Sequence, residues 1–299
     1  MDNLTVLTAA PILNVQLILD GVLIGAIFTL AAYGLALVWG VMNLKNLAQG
    51  DLVMLGGYVA WWLSKHGVHP ILGLPVAAVL LFGFGWVLYF TVISRVIHRD
   101  LFTSLLATFG VALVLSQLMN VVFGSDVRTA ESGFGTMHLF GGMVTLSKTK
   151  LVALVLAGIV AALVVAFMRY SRMGQAIRAT AQDPRAARVL GVDTERVYAF
   201  TFGLNAAICG AAGALISMIW VIQPFYGIPH TIRSFVIVTA AGLGNLPGVI
   251  VAALGLGVAE QYSGFLLGAQ LQQFTVVFLL VAVLVWRQFL LMRHRQVLQ

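Results

Sequence analysis

The sequence predicts an all-α, polytopic membrane helix bundle of about eight spans plus one inserted half-helix. Three observations carry that expectation. Hydrophobic residues fill 61% of the 299 positions and charged residues 9%, against about 25% charged in a soluble chain. Seven segments lack Asp, Glu, Lys, Arg and His: Gly21 to Leu44, Ile71 to Ser94, Leu101 to Ser125, Leu151 to Met168, Val197 to Pro229, Ser234 to Ala259 and Gln261 to Trp286. A membrane-spanning helix needs roughly 20 mostly apolar residues. Finally, the basic residues segregate between alternate loops.

No polar stretch is long enough for a second domain, so residues 1–299 read as one transmembrane domain. Gln16 to Leu44 is too long for a signal h-region and no basic segment precedes it, so it is expected to remain as the first span. With the N-terminus outside, Gln16–Gly40 runs inward, Asp51–Leu63 outward, Ile71–Ile93 inward and Phe102–Phe123 outward. Leu151–Met168 then runs inward and Val197–Ile222 outward. Thr231–Leu243 dips inward as a half-helix, Leu246–Gly264 returns, and Gln270–Trp286 ends inside. This threading puts twelve basic residues inside: Lys45, Arg95, Arg99, Arg169, Arg172, Arg178, Arg185, Arg188, Arg196, Arg287, Arg293 and Arg295. Five fall outside: Lys65, Arg128, Lys148, Lys150 and Arg233. Cytoplasmic loops hold the excess of Lys and Arg, so this orientation is favoured over its inverse. The net charge of +7 therefore reads as loop charge rather than as a nucleic-acid surface.

Two segments depart from ordinary spans. Met42–Gly57 places Asn43, Lys45, Asn46, Gln49 and Asp51 at the mouth of a short apolar helix. Ala240–Gly248 carries Gly242, Gly244, Pro247 and Gly248, which break a straight helix. Broken helices at membrane depth line substrate paths, while a plain turn at the membrane surface explains the second segment equally well. Asn43, Gln49 and Asn245 are the candidate polar groups along a path, or else local backbone caps; Glu260 adds a carboxylate near a helix end. Ala206, Gly210 and Ala214 recur every fourth residue on the sixth span and read as close helix packing.

The longest polar segment on the inner side is Arg169–Arg196. Asp183 suits an N-cap and Pro184 the first helical position, while Gly191 suits a left-handed stop after Leu190. Pro184–Leu190 thus reads as a short capped helix, preceded by a second over Gly174–Ala181. Ala176, Ile177, Ala187 and Leu190 give small or apolar faces beside Arg178, Arg185 and Arg188. Alanine-rich faces suit a protein groove better than lipid, and Ala187 is expected on the docking face. Headgroup contact is the alternative.

No P-loop, H-E-x-x-H or G-x-S-x-G motif is present. The six histidines are scattered, the single Cys209 supports neither a disulfide nor a metal cluster, and no catalytic residues suggest themselves. Ion-coupled transporters commonly bury acids or bases at mid-membrane; only Asp51 and Glu260 come close here. Energy for transport is therefore expected from another subunit, with a stand-alone secondary transporter as the rival reading.

Three segments resemble the permease subunits of ABC importers for branched-chain amino acids, specifically the shorter of the two paired permeases. They are Gly40–Asp51 with Met54–Tyr58, then Met173–Gly191, then Gly242–Gly248 leading to a helix that ends near Glu260. The resemblance runs over about residues 12 to 290. It implies a non-enzymatic pore subunit in the bacterial inner membrane, with its C-terminus cytoplasmic. Its implied partners are a second permease, two cytoplasmic ATPase subunits that bind the ATP, an extracytoplasmic substrate-binding protein and membrane lipid; no metal or cofactor binds this chain. It also implies that Gly174, Arg178, Asp183, Pro184, Ala187, Leu190 and Gly191 belong to the loop that couples to the ATPase. Similar permeases carry urea or short amides, which stands as the alternative cargo.

Overall fold

The computed structural model describes residue 7 and residues 10–139, 144–242 and 244–296. Leu243 of the glycine-rich turn and residues 140–143 of the long loop expected outside lie outside the described residues, as do the side chains of Arg287, Arg293 and Arg295. Eleven helices follow in order: α1 (Pro11–Met42), α2 (Gln49–Lys65), α3 (Pro70–Leu88), α4 (Leu101–Phe123), α5 (Lys148–Tyr170), α6 (Arg172–Gln182), α7 (Pro184–Val189), α8 (Thr194–Ser217), α9 (Gly227–Ala241), α10 (Leu246–Leu267) and α11 (Ala269–Gln296). A π turn, Tyr89–Ile93, and a short helix, Ser94–Val96, extend α3.

Among the described residues, six helices are long and apolar enough to cross a membrane: α1, the extended α3, α4, α5, α8 and α10. The eight-span expectation also needs α2 and the apolar part of α11. At 17 residues α2 is shorter than a full span, and Gln270–Trp286 is likewise a shorter apolar helix. The expected half-helix is α9, with 15 residues. One element was unforeseen: β1 (Thr136–Leu139) pairs antiparallel with β2 (Val144–Ser147) in the loop between α4 and α5.

Helix limits follow local chemistry. Asp100 caps α4 by accepting from the Thr103 amide at 3.0 Å, and Asp193 caps α8 by accepting from the Arg196 amide at 3.2 Å. α1 ends on Asn43, whose φ of 52° is left-handed, a conformation that Asn tolerates better than most residues.

α1 and α8 form the centre, and most of their surfaces are buried inside the chain. Exposed Leu, Val and Phe crowd α3, α4 and α5 instead, as expected where lipid or another membrane subunit covers them. Small residues set the central contacts, because lipid supplies no hydrophobic drive for helices to associate. A Cβ on Gly56 would lie 2.5 Å from the Gly210 Cα, and one on Gly25 would lie 2.7 Å from the Ala253 carbonyl. Ala206, Gly210 and Ala214 do serve packing, and Ala206 and Ala214 are fully buried. A salt bridge and a hydrogen bond tie the start of α1 to β2 and α5: Lys150 reaches Asp20 at 2.6 Å, and Gln16 donates to the Thr145 carbonyl at 2.8 Å.

Gly50 tests this packing. A Cβ there would strike the Gly227 carbonyl and lie 2.8 Å from the Thr231 amide. Gly50→Ala is expected to destabilise the protein by about 1–3 kcal/mol and lower its thermal midpoint in detergent. Gly83→Ala, where nothing lies within 4 Å, is expected to leave the midpoint unchanged or raise it.

Candidate translocation site and coupling loop

α2 starts deep inside the bundle. Its first residue, Gln49, is fully buried, and its side-chain amide donates to the Ala31 carbonyl at 2.8 Å and to the Cys209 sulfur at 3.1 Å. Ala31 lies 42 − 31 = 11 residues before the end of α1, about 16 Å back along its axis. After leaving α1 the chain therefore climbs back beside it before helix resumes. Residues 43–48 make this climb without helix, yet Leu44, Asn46 and Ala48 are buried. Side chains satisfy their backbone. Thr108 Oγ1 accepts from the Leu47 amide at 3.2 Å, Thr231 Oγ1 from the Gly50 amide at 2.9 Å, and Asn46 Oδ1 from the Ala48 amide at 3.1 Å. Asn46 also donates to Gln49 Oε1 at 3.3 Å. Irregular backbone at membrane depth survives only where protein or water meets its polar groups.

α9 starts against the same place. Its first residue, Gly227, packs so closely that a Cβ there would lie 2.9 Å from the Asp51 amide. Two helix N-termini, those of α2 and α9, thus meet inside the bundle. The faces of α9 differ. Tyr226, His230 and Arg233 line one cavity, of about 430 Å³, with Leu17, Trp220, Phe265, Gln272 and Glu260. Phe225, Ile228, Thr231, Ile232 and Phe235 line another, of about 350 Å³, with Asp51 from α2, and Phe109, Ala112, Leu113 and Ser116 from α4.

In the first cavity Arg233 Nε donates to Glu260 Oε1 at 2.7 Å, with the two side chains 12% and 1% exposed. The guanidinium also sits 5.1 Å from the centre of the Phe28 ring, which stacks on Trp220. Arg233 therefore belongs to a buried pair rather than to an outer loop. That correction leaves 5 − 1 = 4 basic residues on the loops expected outside and widens the expected charge asymmetry. The missed signal was a single arginine between two charge-free runs, because an ionisable group at such a position must find a partner.

The four expected path residues separate. Gln49 and Glu260 are buried, whereas Asn43 and Asn245 are exposed. Asn245 bridges the helix break: its Oδ1 accepts from the Gly248 amide at 3.1 Å and its Nδ2 donates to the Ala241 carbonyl at 3.3 Å. This is capping geometry. A Cβ on Gly40 would lie 4.0 Å from the Gly244 amide, so the break sits beside the end of α1 near Asn43. Glu260 follows Asn245 by 260 − 245 = 15 residues, about 22 Å along α10. Asn205 was not anticipated. It is fully buried beside Gln49 and Cys209, and its side-chain nitrogen has no hydrogen-bond partner.

The segment expected to couple to a partner has the expected two helices, α6 and α7. Asp183 caps α7 by accepting from the amides of Arg185 at 2.8 Å and Ala186 at 3.1 Å. The Ala186 and Arg185 bonds hold its carboxyl below the usual carboxylate range. Gly191 has φ 87°, the left-handed stop its position requires. Gly174 is buried against the end of α5, where a Cβ would meet the Phe167 and Met168 carbonyls, and Arg178 is exposed. One expectation is corrected: Ala187 is 2% exposed and faces inward, while Val189 and Leu190 are 88% and 83% exposed. A six-residue helix lying flat on the bundle must turn one face in, and the smallest residue takes the tightest contact.

Helices broken at depth around two cavities, with a separately capped loop helix at one end, define a membrane permease subunit. A family model described as the permease component of branched-chain amino acid transport systems matches residues 17–286. The chain belongs to that family. It is 29% identical over 290 residues to the high-affinity branched-chain amino acid transport system permease protein LivH of Escherichia coli (strain K12), covering 90% of this chain and 92% of that protein. The corresponding protein BraD of Pseudomonas aeruginosa is 27% identical over 291 residues, with 91% and 93% covered. The second E. coli permease, LivM, is 26% identical over 293 residues, but only 66% of its length is covered. The coverage places the chain with the shorter, LivH-type permease.

The buried pair yields a stability test. Removing one partner of a buried ion pair leaves an uncompensated charge, whereas replacing both with apolar residues is often neutral. Glu260→Ala is expected to destabilise the purified protein by about 3 kcal/mol. The double change Arg233→Met with Glu260→Met should recover most of that loss in a thermal melt.

Proposed function

We propose that the chain is one half of a heterodimeric pore that moves branched-chain amino acids across a bacterial inner membrane, powered by ATP hydrolysed on partner subunits. The family match over residues 17–286 carries this reading. In it the chain makes eight spans, with α2 and α11 added to the six long apolar helices and α9 as the half-helix. Inner-side charge excess favours a cytoplasmic C-terminus. A second permease completes the pore, two ATPase subunits sit beneath α6 and α7, and a binding protein delivers substrate from outside. The chain itself does no chemistry. ATPase closure would move α7, and the permease halves would rock to give alternating access around the central path.

The outward Val189–Leu190 pair supports docking at α7, because two neighbouring aliphatic side chains this exposed on a polar loop suit a partner groove. The α6–α7 link also transmits force well, since Asp183 both ends α6 and caps α7. Central interface residues commonly cost 2 kcal/mol or more when disrupted, on the order of a thirtyfold weakening. Leu190→Glu and Leu190→Arg should both lose the ATPase subunits on co-purification, with normal insertion of the permease. If α7 merely rests on anionic lipid, arginine is tolerated and only glutamate weakens membrane contact. Full ATPase recovery with both variants removes α7 from the coupling mechanism.

A further inference from the structure

We propose that Asp51 is a substrate-contacting residue, receiving the ammonium group of an amino acid whose apolar side chain lies in the cavity between α2, α4 and α9. The inference rests on the proposed transport function and names the group within this chain that reads the substrate.

Asp51 is 3% exposed, and it lines the 350 Å³ cavity. Apart from its own backbone amide, no donor serves its carboxylate and no Lys, Arg or His lies within ion-pair distance among the described residues. Glu260, the other deeply buried acid, has Arg233. A buried carboxylate without a cation is costly, and an incoming ammonium at hydrogen-bond distance offsets that cost. The remaining walls are mostly apolar, with Phe109, Leu113, Phe225, Ile228 and Phe235 suiting an aliphatic side chain, and Ser116 and Thr231 add two hydroxyls. The combination matches a small-molecule site, mostly apolar with a few placed polar groups. The two helix N-termini beside Asp51 favour negative charge, so they tolerate the carboxylate of a zwitterion.

The test uses the complete transporter in proteoliposomes with saturating loaded binding protein. Asp51→Asn keeps the shape and removes the charge; Asp51→Glu keeps the charge. Leu113→Trp, on the opposite wall, narrows the cavity. The expected results are at least a tenfold fall in the leucine uptake rate for Asp51→Asn and a partial return for Asp51→Glu. Leu113→Trp should shift preference from leucine towards valine by about tenfold, within the range that one methylene commands in an apolar site. An assembled Asp51→Asn complex that moves leucine within twofold of wild type overturns the inference. If Asp51→Asn does not assemble, an unchanged valine-to-leucine ratio in Leu113→Trp overturns it. Loss of the second permease from the Leu113→Trp complex would make the cavity a subunit contact and overturn it as well. Failure of the wild-type complex to move any branched-chain amino acid would instead defeat the functional reading.

Discussion

The bond from Gln49 to the Ala31 carbonyl fixes the organisation of this permease. It pins the start of α2 against the middle of α1 and so forces residues 43–48 to run back through the interior as irregular chain. Everything around the site follows from the need to satisfy that backbone. Thr108 on α4 and Thr231 on α9 are held to the climbing segment by hydroxyl bonds, and Gly227 is admitted to the start of α2 only because neither it nor Gly50 carries a Cβ. α9 is thereby suspended between two cavities, polar on one face and apolar on the other.

This arrangement also explains where charge is tolerated. Arg233 and Glu260 are affordable inside the bundle because they meet each other and an aromatic face. Asp51 meets helix ends and a mostly apolar cavity, with no ion-pair partner among the described residues. The contrast between a neutralised acid and an uncompensated one, on two sides of the same half-helix, points to different duties. The first holds α9 against α10 and α1, and the second is available to a visitor. At the opposite end, Asp183 joins α6 to α7 through a single capped residue.

The long apolar runs and the glycine-rich break were legible in the sequence because length and composition alone decide them. So were the caps at Asp183 and Gly191, whose chemistry is local. The deep start of α2 was legible only as a polar cluster, since its depth depends on Gln49 meeting α1 and α8, contacts far apart in sequence. Arg233 was misread as loop charge because Glu260, its partner, lies 27 residues away. Ala187 was placed on the wrong face because a one-and-a-half-turn helix has too few residues for periodicity to choose a side. The β1–β2 hairpin was hidden in a loop with only short strand-forming stretches.

The proposed role makes the chain an energy-dependent half-pore rather than a transporter in its own right. Uptake of labelled leucine into proteoliposomes, measured for this chain alone and for the complex with its second permease, ATPases and binding protein, tests that directly. The account predicts uptake only by the complex and only with ATP inside the compartment that holds the ATPases. Leucine accumulation by this chain alone, without ATP, would contradict it.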